Sequence, residues 1–336
     1  MADFNMGIDI FNPTVSVVSH GLEGKVIMLY GGNSTGKTYQ SVRMPKPYVL
    51  RCESGLNAQN GVPFANIQTW ADFLFVINQL TSPNTVGNAR ELYSTIIIDE
   101  VYASAQYCQK YICNKYKSPS IGEGNGGYGL WDKYETEYWS AINTIVSSGY
   151  TVVFIAHATD KDGQIYPKGD KRSIQPIMDN CDIIAYLQSN GVDEDNKVVH
   201  SSAYLAEIPG KYFARSRFDY IDPIIEDFTA QNLEKAIKEA VEKQEAAEGF
   251  QSVSFEEQVQ NNAVEKITFT ELKNQVTELG TVFCEKGRQD RLKELIADCL
   301  GEGNFVQDAT ERQYESLEIL LGKLKEEGER LGMKVS

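Results

Sequence analysis

The sequence predicts an α/β protein built on a doubly wound, mainly parallel sheet of the P-loop NTPase type, followed by a small all-helical module. Three observations predict it. Short apolar, β-branched runs alternate with amphipathic stretches from Lys25 onward. A glycine-rich turn, Gly31-Gly32-Asn33-Ser34-Thr35-Gly36-Lys37-Thr38, stands between one such run and a helical stretch. After about residue 228 the composition shifts to Glu, Gln, Ala and Lys with few aromatics.

The elements follow in order. Residues 26–30 read as a buried strand. The helix after the glycine-rich turn runs over about 37–44 and ends at Pro45 and Pro47. Residues 48–52 form the next strand. Thr69 is a candidate N-cap for a helix reaching about Leu80. Residues 94–99, STIIID, suit a central parallel strand. A long helical region follows, interrupted by a Gly-rich loop at 118–129, and the helix over 130–148 stops at Gly149. Residues 151–156, TVVFIA, form another buried strand. Residues 182–187 and 203–208 read as a hairpin around a polar turn at 193–196. The predicted organisation is therefore a lead-in over 1–24, a core over 25–228, a helix and flexible acidic linker over 229–266, and a helical module over 267–336. No internal repeat is visible.

Composition narrows the function classes. The chain has 336 residues, enough for one large domain and an appendage. No apolar run is long enough to span a membrane. The first residues, with Asp3 and Asp9 and no basic stretch, do not read as a signal peptide. Six scattered cysteines without a CxxC pair, and three histidines, argue against zinc and for free thiols in a reducing cytoplasm. The net charge is −15, with −5 on residues 1–225 and −10 on residues 226–336. Such a chain is no generic glue for nucleic acid, so any contact with DNA must be local or multiplied by oligomerisation.

Gly31 to Thr38 fit GxxxxGK[ST] at every fixed position. Glycines let backbone N–H groups turn inward around phosphates, and a helix start adds positive potential. Lys37 is expected to reach the β- and γ-phosphates of ATP, the Thr38 hydroxyl to ligate Mg²⁺, and Tyr39 to belong to the same nucleotide-binding stretch. The run Ile96-Ile97-Ile98-Asp99-Glu100 delivers Asp99 to a strand tip, where it can hold Mg²⁺. Hydrolysis also needs a base to orient water. Glu53, at the end of the second strand, and Glu100, directly after Asp99, are both candidates. His157 ends the strand TVVFIA, where a polar residue can sense the γ-phosphate. Arg215 and Arg217 follow the hairpin; arginine stabilises charge on a transferred phosphoryl group, often from a neighbouring subunit.

The ordered series GGNSTGKT, VLRCESGL, STIIIDE, GGYGLW, VVFIAHATD, MDNCDIIAYL and FARSR resembles the phage-encoded RecA-core ATPases of single-strand annealing and recombination, over roughly residues 24–220. The resemblance implies a RecA-like core, ATP binding, assembly on single-stranded DNA as a ring or filament, and cooperation with a single-strand-binding protein. It also implies Glu53 as the catalytic acid, His157 as the sensor, and Arg215 with Arg217 as the basic pair. Two departures stand out: that pair is usually a Lys and an Arg, and the spacing from Lys37 to Glu53 is short. The terminal module resembles helical tails of phage replication and recombination proteins, which implies a partner-binding role and leaves a nucleotide-gated adaptor or loader as the rival reading. In RecA-like cores two mobile loops face DNA. Here they correspond to residues 118–130, with Lys115, Lys117, Tyr128 and Trp131 in or beside them, and to residues 159–179, with Lys161, Lys168, Lys171 and Arg172.

Overall fold

The computed structural model describes residues 11–263 and 267–333. It divides into two compact units, Val17–Val259 on the one hand and Gln260–Ser336 with Met1–Ser16 on the other.

The larger unit is built on one sheet. Its central strand β1 (Val26–Gly31) pairs in parallel with β5 (Thr151–Lys161) on one side and β7 (Ile183–Gln188) on the other. Past β5 lie β4 (Thr95–Asp99), β2 (Pro47–Arg51) and β3 (Phe64–Asn66), all parallel. Past β7 the sheet turns antiparallel through β8 (Ser202–Tyr204) and β10 (Ile224–Ile225). Two short strands pair antiparallel to their neighbours, β6 (Gln164–Pro167) to β5 and β9 (Arg215–Ser216) to β7. In parallel strands every tip opens on the same edge. The register sets Gly31 beside His157 and Asp99 beside Arg51 and Ile155.

Both faces of the sheet are covered, which is why its central strands are continuous apolar runs. Ile27, Leu29, Ile97, Val153 and Ile155 point to one face and pack with Leu233 and Ile237 of α7 (Ala230–Glu248). The short α1 (Lys37–Ser41) follows the loop after β1. Met28, Tyr30, Ile96, Ile98, Val152 and Phe154 point to the other face. They meet α2 (Trp70–Thr81), α4 (Val101–Lys115), α5 (Trp131–Val146) and α6 (Lys171–Asn180). Helix α3 (Val86–Leu92) buries none of its residues. Helix α2 starts where Thr69 accepts from Asp72 N and Asp72 reaches back to Thr69 N, a reciprocal cap. It then buries Trp70, Phe73, Ile77 and Leu80, a helical spacing.

The structure differs from the sequence expectation in definite places. The first helix ends at Ser41, and Val42 and Met44 are buried in the turn that follows. Strand β5 continues five residues past Ala156, because Ala158 to Lys161 pair with β6. Residues 159–179 are thus not a mobile loop but a hairpin followed by α6. Asp170 caps that helix by accepting from Arg172 N and Ser173 N, and Ile174, Ile177 and Met178 anchor it despite Pro176. The second hairpin arm is shorter than 203–208. The acidic stretch after α7 is not wholly a linker, since it holds α8 (Phe255–Asn262), and Ser19 bridges to Val253. Residues 17–24 therefore pack with the core, with Ser19 and Leu22 buried. The rest of the lead-in before residue 11, and the linker end at 264–266, lie outside the described residues.

The smaller unit contains α9 (Phe269–Glu285), α10 (Gln289–Leu300) and α11 (Tyr314–Arg330). Leu272, Val276, Phe283, Leu317, Leu320 and Leu324 form its own apolar core. The buried Glu327 is held by Arg330 at 2.6 Å and Arg291 at 3.3 Å. No helix of the described residues is long and apolar enough to cross a membrane.

Leu29 is fully buried in the central strand. Leu29→Ala is expected to cost about 2–5 kcal/mol, read as a lower urea midpoint with an unchanged slope.

Candidate nucleotide-binding site

The loop between β1 and α1 turns through Ser34 at φ 59° and Gly36 at φ 81°. The second is a left-handed conformation that a Cβ would strain, so the motif's glycine is required there. Asn33 and Ser34 lie exposed on the crest of the loop, and Thr35 is buried beneath it. The Thr35 hydroxyl donates to Gly32 O at 3.0 Å. Lys37 is buried and curls under the loop, its ammonium donating to Gly32 O at 2.6 Å and Gly31 O at 3.1 Å. Burial pulls its pKa down, and the carboxylates of Asp99, Glu100 and Glu53 oppose that pull. The loop thus presents a cation to the carboxylates at and just past the ends of β2 and β4.

Next to it the Thr38 hydroxyl donates to Asp99 Oδ2 at 2.8 Å. Burial raises the Asp99 carboxyl, and the Thr38 hydrogen bond works the other way. A hydroxyl and a buried carboxylate side by side are hard oxygen donors that suit Mg²⁺. Gly55 supplies the fit from above. A Cβ at this residue would lie 2.8 Å from Asp99 Oδ2 and 3.6 Å from Thr38 Oγ1. A side chain here would press on the Asp99 carboxylate and force a shift. The sequence reading passed over Gly55, whose one signal is its place just after Glu53 at the end of a strand.

Beside the Thr38–Asp99 pair, Glu53 just past β2, Glu100 just past β4 and His157 each offer one ligand atom within 4.8 Å of the others; His157 does not end its strand but lies inside β5, as the last residue paired with β1. His157 Nε2 lies 3.2 Å from Glu53 Oε2. Asp99 O accepts from Cys52 N at 2.6 Å and Glu53 N at 3.2 Å, which ties the end of β2 to the tip of β4. The two glutamates occupy different environments. The Glu53 side chain is 46 % exposed. Glu100 is 1 % exposed and caps α4, its Oε2 accepting from Ala103 N at 3.2 Å. Its Oε1 has no hydrogen-bond partner among the described residues. Burial first, and the Glu53 charge second, push the Glu100 carboxyl up from its usual range.

The remaining candidates lie elsewhere. Arg215 pairs with Ile184, which is level with Met28, so it stands three residues, roughly 10 Å of strand, short of Gly31. Its Nη2 donates to Met178 O at 2.5 Å and Cys181 O at 3.0 Å, while Arg217 Nη2 donates to Asp179 O at 2.6 Å. Within the chain, then, the two arginines do not reach the loop. They satisfy carbonyls at the end of α6. Tyr39 is 43 % exposed, with the Arg43 guanidinium 3.2 Å from its ring centroid. Of the basic residues expected near DNA, four rest on aromatic rings: Lys115 on Tyr111, Lys161 on Tyr166, Lys168 on Tyr102 and Arg172 on Trp131. Tyr128 is 89 % exposed, and Trp131 is partly buried against the core.

Gly55→Ala is expected to crowd the Thr38–Asp99 pair. The Mg²⁺ concentration needed for half-maximal ATP binding should rise roughly tenfold, measured by titrating the metal at fixed nucleotide.

Residues 23–218 match the family model described as an AAA domain. That span takes in the loop, Glu53, Asp99, Glu100, His157, Arg215 and Arg217. The chain is also 53 % identical over 322 residues to YorG of Bacillus subtilis (strain 168), described as an uncharacterized protein derived from the SPbeta prophage. The alignment covers 96 % of this chain and 99 % of that protein. With the match running through more than half of its length and through the whole phosphate-loop site, the chain belongs to the AAA-domain family of P-loop ATPases.

Proposed function

We propose that the protein hydrolyses ATP in a Mg²⁺-dependent manner and uses it on single-stranded DNA, as a RecA-like homo-oligomer in phage-type recombination, annealing or replication. The observation that carries the hydrolytic part is the Glu53–His157 contact beside Lys37 and the Thr38–Asp99 pair.

The roles follow from position and environment. Lys37 neutralises charge on the β- and γ-phosphates. Thr38 and Asp99 would hold Mg²⁺, which supplies Lewis-acid neutralisation of the phosphate oxygens when bound. Glu53 is the better base because it is solvent-accessible and hydrogen-bonded to His157. Its carboxylate takes the proton of the attacking water, the water oxygen bonds to the γ-phosphorus, and the bridging oxygen leaves with ADP. His157 orients Glu53 and senses the γ-phosphate. Glu100 holds the start of α4 in place. Any contact of Arg215 or Arg217 with phosphate is across a subunit boundary.

The DNA part is supported by the four stacked cations on α4, on the β5–β6 hairpin and on α6, and by the exposed Tyr128. Aromatic faces and basic groups are what sequence-tolerant single-strand binding uses. The prophage origin of YorG supports the phage setting, where a single-strand-binding protein is the expected companion.

Glu53→Gln is expected to lower kcat by about a hundredfold or more at near-normal nucleotide affinity, and Glu100→Gln by less. The opposite order moves the base to Glu100. A single-stranded oligonucleotide should raise wild-type turnover; no rise, together with no filter binding at low salt, removes the DNA part. Turnover that persists in Lys37→Ala removes the ATPase part. The separate apolar core of the terminal unit favours a second reading, an adaptor acting through protein partners. Truncation after Ala263 separates the two: a DNA-dependent ATPase keeps oligonucleotide-stimulated turnover, and an adaptor loses its function with the module.

A further inference from the structure

We propose that Tyr39, braced by Arg43, is the stacking platform for the nucleobase and that it favours purines. The proposal rests on the nucleotide reading of the loop and adds the part of the ligand that the loop does not hold.

Three of the five residues of α1, Lys37, Gln40 and Ser41, are buried. Tyr39 lies between them with its ring open to solvent, outside both apolar clusters of the sheet. Its ring therefore adds nothing to the apolar core of the sheet. Arg43, one turn further on, lays its guanidinium over the ring at 3.2 Å from the centroid. Its Nη1 donates to Tyr39 O at 2.5 Å and to Gln59 Oε1 at 3.3 Å. Arg43 thereby ties α1 to the segment that also carries Gly55 against the Thr38–Asp99 pair. The ring is thereby fixed from one side in a residue that is 43 % exposed.

The order of the phosphates sets what reaches it. Backbone N–H groups of such a loop hold the α- and β-phosphates, and its lysine reaches the β- and γ-phosphates. The nucleoside therefore leaves from the helix-entry end of the loop, where Tyr39 directly follows Thr38. An aromatic face extended by a guanidinium attracts any base, and a bicyclic base overlaps it more. Stacking reads no base edge, and the Gln59 Oε1 beside the pair already accepts from Arg43. Discrimination between adenine and guanine is therefore weak, and pyrimidine nucleotides bind less tightly.

The test uses the full chain, Mg²⁺, and calorimetric titration with adenylyl imidodiphosphate and, separately, with inorganic tripolyphosphate. Tyr39→Ala is expected to weaken the nucleotide roughly five- to thirtyfold and to leave tripolyphosphate unchanged. Arg43→Ala should give a smaller loss, again for the nucleotide alone. Tyr39→Trp should restore affinity and gain an emission that the nucleotide quenches and tripolyphosphate does not. An undiminished nucleotide affinity in Tyr39→Ala, or equal losses for both ligands, overturns the platform. A wild type that binds neither ligand overturns the phosphate-loop reading and the platform together. A wild type that shows the expected pattern but does not hydrolyse ATP overturns only the hydrolytic reading.

Discussion

Asp99 joins three parts of the site, and it does so with both of its oxygen-bearing groups. Its side chain accepts from the Thr38 hydroxyl at 2.8 Å, which fixes the end of the phosphate loop to the tip of β4. Its backbone carbonyl accepts from Cys52 N and Glu53 N, which fixes the extension of β2 to the same tip. Parallel pairing does the rest, because the register of β1 on β5 sets His157 beside Gly31. The loop, the Thr38–Asp99 oxygens and the acid–histidine pair are thereby arranged by paired strands, of which β1 and β4 are buried throughout. A site built on strand tips in this way holds its geometry better than one built on loops.

That arrangement places several carboxylates close together, and burial sorts them. Asp99 and Glu100 lie in a low-dielectric interior that disfavours their charge, and Lys37 is the buried cation between them and the loop. Glu53 reaches solvent and keeps a histidine partner. In the proposed mechanism that contrast gives chemically alike residues separate tasks: Asp99 on the metal side, Glu100 at the start of α4 and Glu53 at the attacking water. Gly55 belongs to the same logic, since its missing side chain keeps the Thr38–Asp99 oxygens reachable.

How legible this was depends on how local each determinant is. The glycine-rich loop, the strand over residues 95–99 and the His157 strand carry their information in consecutive residues, so their order revealed the fold and the axis of the site. Strand β5 past Ala156 and strand β6 are polar and mixed, and they are strands because they pair with each other, which a run of single residues does not display. Helix α6 contains Pro176, and its Asp170 cap and apolar anchors outweigh that signal. The contacts of the arginines within the chain were hidden for the same reason. Arg215 is spent on carbonyls more than thirty positions earlier in the chain, a contact with no local trace. Glu53 and Glu100 are both acids at strand ends in the sequence, where only the resemblance prefers Glu53; their difference in burial is set by elements distant in the chain.

The most direct test of this account is a crystal structure with Mg²⁺, ADP and an aluminium fluoride mimic of the transferred phosphoryl group. The account predicts Thr38 and Asp99 on the metal side, a water in line with the mimic and hydrogen-bonded to Glu53, and Glu100 still accepting from Ala103 N. A water held by Glu100, with Glu53 and His157 turned away from the mimic, would contradict it.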